Sequence, residues 1–381
     1  METIEIILDN YSQETKNAAL VAALKSDNST LVELVLKLKP DLLAGGAELF
    51  KYAIKNCNFE LLGELLWEPE ISDNQELLNE GIRLAISLTR SEKYEVVDTL
   101  IQDSGDANVA VEELLKQDYP SVDAIIALLK LGAKAHFWPM HLDKHQRIAE
   151  RLFKEGFGKS VEFSEVAKEQ FLYTICRKNR PGVIRKVIQF RTDLVDELTK
   201  IAVNKGYTDV LRLLHEEMVI TSIDEKLFRK TISGKQFVTA KCIVETGLYK
   251  LKTIDIVVAT RYCSIQSLKF LIDTHSKEIK MQEGVVDTMM YAGAIRMACC
   301  TNRPDALYAF FDLGYKCDFE ECIKIAAREG YIKIIDTLVK YAGTLNEASY
   351  DEAITCAKDN GHKNTFNRLL AYKRNYPDKF Q

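Results

Sequence analysis

Residues 326–343 read AAREGYIKIIDTLVKYAG. Take Ala326 as position zero. Gly330 then falls at +4, and Ile334, Ile335 and Leu338 fall at +8, +9 and +12. A small side chain at zero lets a second helix approach the first closely. Glycine at +4 adopts the left-handed conformation without steric cost and ends that first helix. Apolar residues at i, i+1 and i+4 form one stripe on a second helix. The stretch therefore predicts a helix, a tight turn and another helix. A pair that small cannot hide its own apolar faces, so copies must stack.

The copies are present. Residues 202–214 read AVNKGYTDVLRLL and residues 357–369 read AKDNGHKNTFNRL. The same template places its zero at Ala23, Ala53, Ala85, Gln117, Met140, Ile175, Ala202, Ile232, Ala259, Ala298, Ala326 and Ala357, about every 30 residues. Asn179, Asn302 and Asp27 stand where the others have glycine, and these residues tolerate a positive φ. The copies at Gln117, Met140 and Ile232 match least, and the Ala85 copy needs about three extra residues before Val96 and Val97.

These residues resemble the ankyrin repeat. AAREGYIKIIDTLVKYAG is similar to its first-helix end and second helix; LLKLGAKA (128–135) and FFDLGYKCD (310–318) are similar to its second-helix end, closed by glycine. The resemblance spans about residues 15–372. It implies an all-α, elongated solenoid of about twelve helix-turn-helix units. The Thr-Pro-Leu-His opening of ankyrin units is absent, and the spacing is shorter than the usual 33 residues. Short loops and little or no β structure are expected. The resemblance also implies an origin in a large virus or an intracellular pathogen, with a host protein as target.

The expected organisation is an N-terminal cap (1–14), repeats over 15–135, an irregular region or bend over 136–165, repeats over 166–372, and a tail over 373–381. The long step before Ala298 is expected to carry a loop insertion, HSKEIKMQEGVVD (275–287).

The bulk properties narrow the function. Formal net charge is -5 and the sequence pI is about 5.8, which argues against general nucleic-acid binding. Nine scattered cysteines suit a reducing compartment, so a cytoplasmic location, or the host cytoplasm or nucleus, is expected. The N-terminus shows no leader pattern, no apolar run is long enough for a membrane span, and a monomer is expected.

No motif demands catalysis, and no cofactor is expected. GFGKS (156–160) lacks the first glycine of a phosphate loop, because Phe153 occupies its place. His141 and His145 are spaced i, i+4 near His136, but the intervening residues are not those of a zinc protease helix. Acidic residues such as Asp318, Glu320 and Glu321 suit helix starts. An enzyme or metal site near 136–165 is the first alternative function.

In an ankyrin-like stack, positions +2 and +3 project toward the concave face. They hold eight bases against three acids, although acids outnumber bases 56 to 51 in the chain. The partner-binding candidates are Lys55, Arg177, Lys178, Lys205, Lys235, Arg261, Tyr262 and Arg328. A protein partner with an acidic surface fits them. Two other readings exist: the helix dipole alone favours bases at helix C-termini, and a basic stripe would also suit nucleic acid.

Overall fold

The computed structural model describes residues 11–26, 28–137, 139–283 and 287–380; for 139–145 and 282–283 it gives the backbone course only. Helices dominate it. The chain forms two compact units, Met1–Thr174 with Gly182–Thr192, and Ile175–Pro181 with Asp193–Gln381.

In the N-terminal unit the helix pairs are α1 (Gln13–Lys25) with α2 (Ser29–Leu36), α3 (Gly46–Asn56) with α4 (Phe59–Leu66), α6 (Gln75–Ser87) with α7 (Lys93–Gln102), and α8 (Ala107–Lys116) with α9 (Val122–Lys130). A single turn, α5 (Pro69–Ser72), precedes α6. First helices pack on first helices, α1 on α3, α3 on α6 and α6 on α8. The unit continues with β1 (Ala135–Phe137), α10 (Pro139–Lys154) and β2 (Val161–Phe163). The two strands pair in parallel, Ala135 opposite Val161. Helices α11 (Glu165–Arg177) and α12 (Pro181–Phe190) give residues to both units.

The C-terminal unit repeats one arrangement. Its pairs are α13 (Val195–Lys205) with α14 (Thr208–Glu216), α15 (Glu225–Ser233) with α16 (Phe237–Glu245), α17 (Thr253–Tyr262) with α18 (Ile265–Glu283), α19 (Ala292–Cys300) with α20 (Pro304–Asp312), α21 (Phe319–Glu329) with α22 (Ile332–Tyr341), and α23 (Glu347–Asp359) with α24 (Lys363–Asn375). Each first helix packs on the next, from α13 through α23. Second helices stack beside them: α14 on α16, and α18, α20, α22 and α24 in series. This is a tandem α-helical repeat, and the apolar faces meet between pairs.

The template explains the stack. Ala23, Ala53, Ala85, Ala202, Ala259, Ala298, Ala326 and Ala357 are all buried in first helices. The turn closes in one way. The N–H at +5 donates to the carbonyl at zero, as in Asn58 to Ala53, Arg303 to Ala298, Tyr331 to Ala326 and His362 to Ala357. The +4 residue takes positive φ: 52° at Cys57, 44° at Asn179, 52° at Asn302 and 78° at Gly330. That is the helix-ending hydrogen-bond pattern built around a left-handed residue. Asp27 lies outside the described residues.

Four expectations need correction. First, Gln117 is not a zero position. It is the C-cap of α8, and its N–H bonds to Leu114, as that of Leu88 bonds to Ala85. Leu114 is the true zero, and the turn has the same extra residues as the Ala85 copy. Second, Met140 opens no helix pair. Residues 139–154 form one helix, because neither glycine nor proline interrupts them. Third, the Ile232 copy is shifted by one. The N–H of Gln236 bonds to Thr231, so Thr231 is zero and Lys235, at φ 60°, closes the turn. Fourth, residues 275–283 extend helix α18 and are not a loop; 284–286 lie outside the described residues.

The C-terminal segment packs back on the last pairs. Leu345 N–H donates to the Lys379 carbonyl at 2.7 Å, and the Phe380 ring lies 4.4 Å from that of Tyr350. The residues expected to cap the N-terminus lie outside the described set up to residue 10.

Two glycines test the turn geometry. Gly330 and Gly361 both have φ near 75–78°. A Cβ at Gly361 meets nothing, whereas one at Gly330 would come within 2.6 Å of the His362 imidazole. Gly361→Ala should cost about 1–2 kcal/mol from backbone strain alone. Gly330→Ala should cost more, because the imidazole must also move. Urea midpoints of the two variants check this order; equal midpoints would show that the ring yields freely.

Candidate functional site

Among the described residues, buried titratable groups converge at three places in the chain, and charged side chains line the helix ends. Helix α17 carries the first. Asp255, fully buried, accepts from Arg229 Nε at 2.7 Å, from Tyr249 Oη at 2.9 Å and from the Lys252 N–H at 2.8 Å. Arg229 also meets Glu225 at 2.5 Å. The hydrogen bond to Asp255 holds the Arg229 guanidinium above its ordinary range, and burial pushes the Tyr249 phenol up. Every carboxylate oxygen has a partner from the protein itself. Three donors on one buried carboxylate suit a structural hub tying α15 to α17.

His275 is the second buried group. Its Nδ1 lies 2.7 Å from Tyr291 Oη. Burial holds its imidazole below the ordinary value of 6.5. The folded state thus resists a proton that the unfolded chain accepts. Stability should be complete above about 6.5 and fall as pH drops below it toward the lowered folded value. His275→Gln should flatten the difference in melting temperature between pH 7.5 and pH 5.5. An unaltered difference would assign the acid sensitivity to other groups.

Three thiols, Cys299, Cys317 and Cys322, meet in the core between α19 and α21. Hydrogen bonding to Cys322, then burial, pushes the Cys299 and Cys317 thiols up, and the same hydrogen bonds hold the Cys322 thiol down. Among the described residues, no group of three or more His, Cys, Asp or Glu side chains is arranged to hold a metal ion. His136 lies in β1, with Nδ1 3.9 Å from Glu162. The side chains of His141 and His145 are outside the described residues. GFGKS follows a helix and leads into β2, the reverse of the strand–loop–helix order of a phosphate loop.

The basic candidates fall at helix ends. Lys205, Arg261 and Arg328 occupy the last turns of α13, α17 and α21, and all are exposed. Because these first helices belong to one stack, their ends lie along one side of the C-terminal unit. The Arg261 guanidinium sits 5.3 Å from the ring centre of half-buried Tyr262. Arg328 pairs with its neighbour Glu329 at 3.1 Å. Arg177 and Lys178 are exposed at the end of α11; there Asn179 Nδ2 reaches Asp209 at 3.4 Å. Lys55 ends α3 in the N-terminal unit, so it is not grouped with the others. Lys235 needs correction: it is the left-handed turn residue at +4, and Lys116 at the end of α8 takes a +2 place once Leu114 is zero.

A recurring contact at these ends was missed in the sequence. The side chain at +5 of one unit caps a carbonyl at the first-helix end of the preceding unit. Arg90 Nη1 donates to Asn56 O at 3.0 Å, and Gln236 Nε2 to Asn204 O at 2.5 Å. Arg303 Nη1 donates to Thr260 O at 3.1 Å and Cys263 O at 3.0 Å. His362 Nε2 lies 2.8 Å from Arg328 O. The orphan carbonyls of α3, α13, α17 and α21 are thus partly satisfied within the repeat.

Among the described residues, no helix is long and apolar enough to cross a membrane. No protein-family model and no curated protein matches the chain. Among solved structures, the chain is similar to one described as a circular tandem repeat protein with novel repeat topology and enhanced subunit contact surfaces. That alignment has 14% identity, covers 99% of this chain and 96% of that one, and has a TM-score of 0.18.

Proposed function

We propose that this chain is a non-catalytic interaction protein, a scaffold or inhibitor, that binds an acidic surface of a partner protein at the first-helix ends of its C-terminal unit. Repeat stacks present long, regular surfaces suited to protein partners. The supporting observation is the +5 cap: side chains from the next unit already serve the first-helix carbonyls, yet Lys205, Arg261 and Arg328 remain exposed beside them. Tyr262, stacked under Arg261, adds an amphipathic aromatic of the kind enriched at binding hot spots. On the ankyrin-like reading of the repeats, the target is a host protein that the chain blocks or recruits in the cytoplasm or nucleus.

Charge reversal at Arg177, Lys178, Lys205 and Arg261 together should weaken binding of a captured partner by roughly a hundredfold, with the strongest loss at low salt. Its melting temperature should fall only modestly, since all four side chains are exposed and each reversed helix-end charge costs about 0.3–1 kcal/mol. Unchanged affinity for the same partner would refute this binding face.

A further inference from the structure

The N-terminal unit carries a different surface on its second helices. Residues 60–123 contain sixteen acidic and four basic residues, whereas residues 124–381 contain 41 basic and 32 acidic ones. The acidity is therefore local to this unit. In the C-terminal unit, second helices such as α20, α22 and α24 pack on one another. Between α7 and α9 there is instead a cleft of about 310 Å³. Its floor is apolar, made by Val97, Leu114 and Leu128, and Ala124 and Ala127 form a low wall.

Acids stand at the rim of this floor. Glu95 and Asp98 are one helical turn apart on α7, exposed, with no cation within ion-pair range among the described residues. Asp123 lies across on α9, 88% exposed at its side chain, and is only 3.7 Å from Arg151. An apolar trough edged by carboxylates, of which Glu95 and Asp98 have no ion-pair partner among the described residues and Asp123 keeps a loose one, fits one chemistry well: apolar side chains for the floor and ammonium or guanidinium groups for the rim. A helix supplies both when its apolar residues recur at i, i+3 and i+4.

We infer that the α7–α9 groove docks a lysine- or arginine-rich amphipathic helix of a partner protein. This is a second binding surface, opposite in charge to the one at the first-helix ends and independent of it. The floor takes the apolar stripe of the ligand helix. Glu95, Asp98 and Asp123 take its basic flanks, and their mutual repulsion is relieved on binding.

The test uses the full chain and a fluorescein-labelled peptide of about 18 residues made of leucine and lysine in helical periodicity. Fluorescence anisotropy should show saturable binding, roughly tenfold or more tighter than for a scrambled peptide of the same composition. Ala127→Trp fills the trough from an exposed position, and Glu95→Gln with Asp98→Asn removes the rim charge. Each should weaken binding roughly fivefold or more, while the helical circular-dichroism spectrum and melting temperature stay unchanged. Equal binding of the scrambled peptide would reduce the effect to diffuse charge and overturn the groove. Unchanged affinity in both folded variants would also overturn it. Sedimentation adds a further arm: concentration-dependent self-association abolished by Ala127→Trp would show a second copy of this chain in the groove and overturn the basic-helix assignment.

Discussion

Phe310→Ala should remove about 3–5 kcal/mol of stability from the C-terminal unit. Phe310 occupies the +12 position of the Ala298 copy and is fully buried in α20. Its ring centre lies 5.8 Å from that of Tyr291, itself fully buried. Truncation leaves a cavity that the surrounding helices cannot collapse into, because α20 is held between α18 and α22. Phe310→Leu keeps most of the volume and should cost much less. The loss should also be local. In a stack with nearest-neighbour coupling, a weakened unit opens together with the pairs it touches. Amide exchange should accelerate first in α18–α22 and least in α13 and α14. Uniform acceleration across the unit would mean that it unfolds as one cooperative block.

Asp255→Ala should cost about 3 kcal/mol. The carboxylate is fully buried and receives three donors from three directions. Its removal orphans the buried Tyr249 hydroxyl and takes the acceptor from the N–H of Lys252, an exposed residue. The charge of Arg229 is partly compensated by Glu225 and partly by solvent, so the upper range for breaking a buried pair does not apply. Asp255→Asn keeps the shape and one acceptor oxygen and should recover about half of the loss. Urea denaturation of the three proteins checks this. If Asp255→Ala were as stable as the unaltered chain, the hub would be a surface pair in effect.

Much of this architecture is legible in the sequence for a physical reason. Where a small residue allows close approach and glycine or asparagine closes the turn, as at Ala202, Ala298, Ala326 and Ala357, spacing alone gives the helix pair and the buried stripe. The misread copies fail for equally physical reasons. At 231–235 the glycine stands one place early, and Lys235 takes the left-handed conformation instead. Ile232 looks more like core than Thr231, yet Thr231 is zero; its hydroxyl donates to the Phe228 carbonyl and so is accommodated in the core. At 139–154 the helix is continuous because no residue breaks it, although the repeat period would place a turn there. The +5 caps share a place but not a chemistry, being Arg90, Gln236, Arg303 and His362, so a search by residue type passes over them. The Asp255 hub joins residues 26 positions apart, and the α7–α9 groove depends on how two helices diverge. Only the Asp255 cap on the Lys252 N–H, three residues away, is local. The basic candidates are legible as a charge bias, and their exposure beside partly capped carbonyls needs the structure.

The most direct measurement places a photoreactive residue at position 178 or 205, on first-helix ends, or at position 238 on the exposed side of α16, and irradiates each protein with its captured partner. Lys178 and Lys205 are exposed at helix ends, and Val238 is 71% exposed on a second helix, so all three positions accept the substitution. Binding at the first-helix ends predicts cross-links from 178 and 205 and none from 238. Cross-links from 238 alone would contradict that face and place the partner on the second helices.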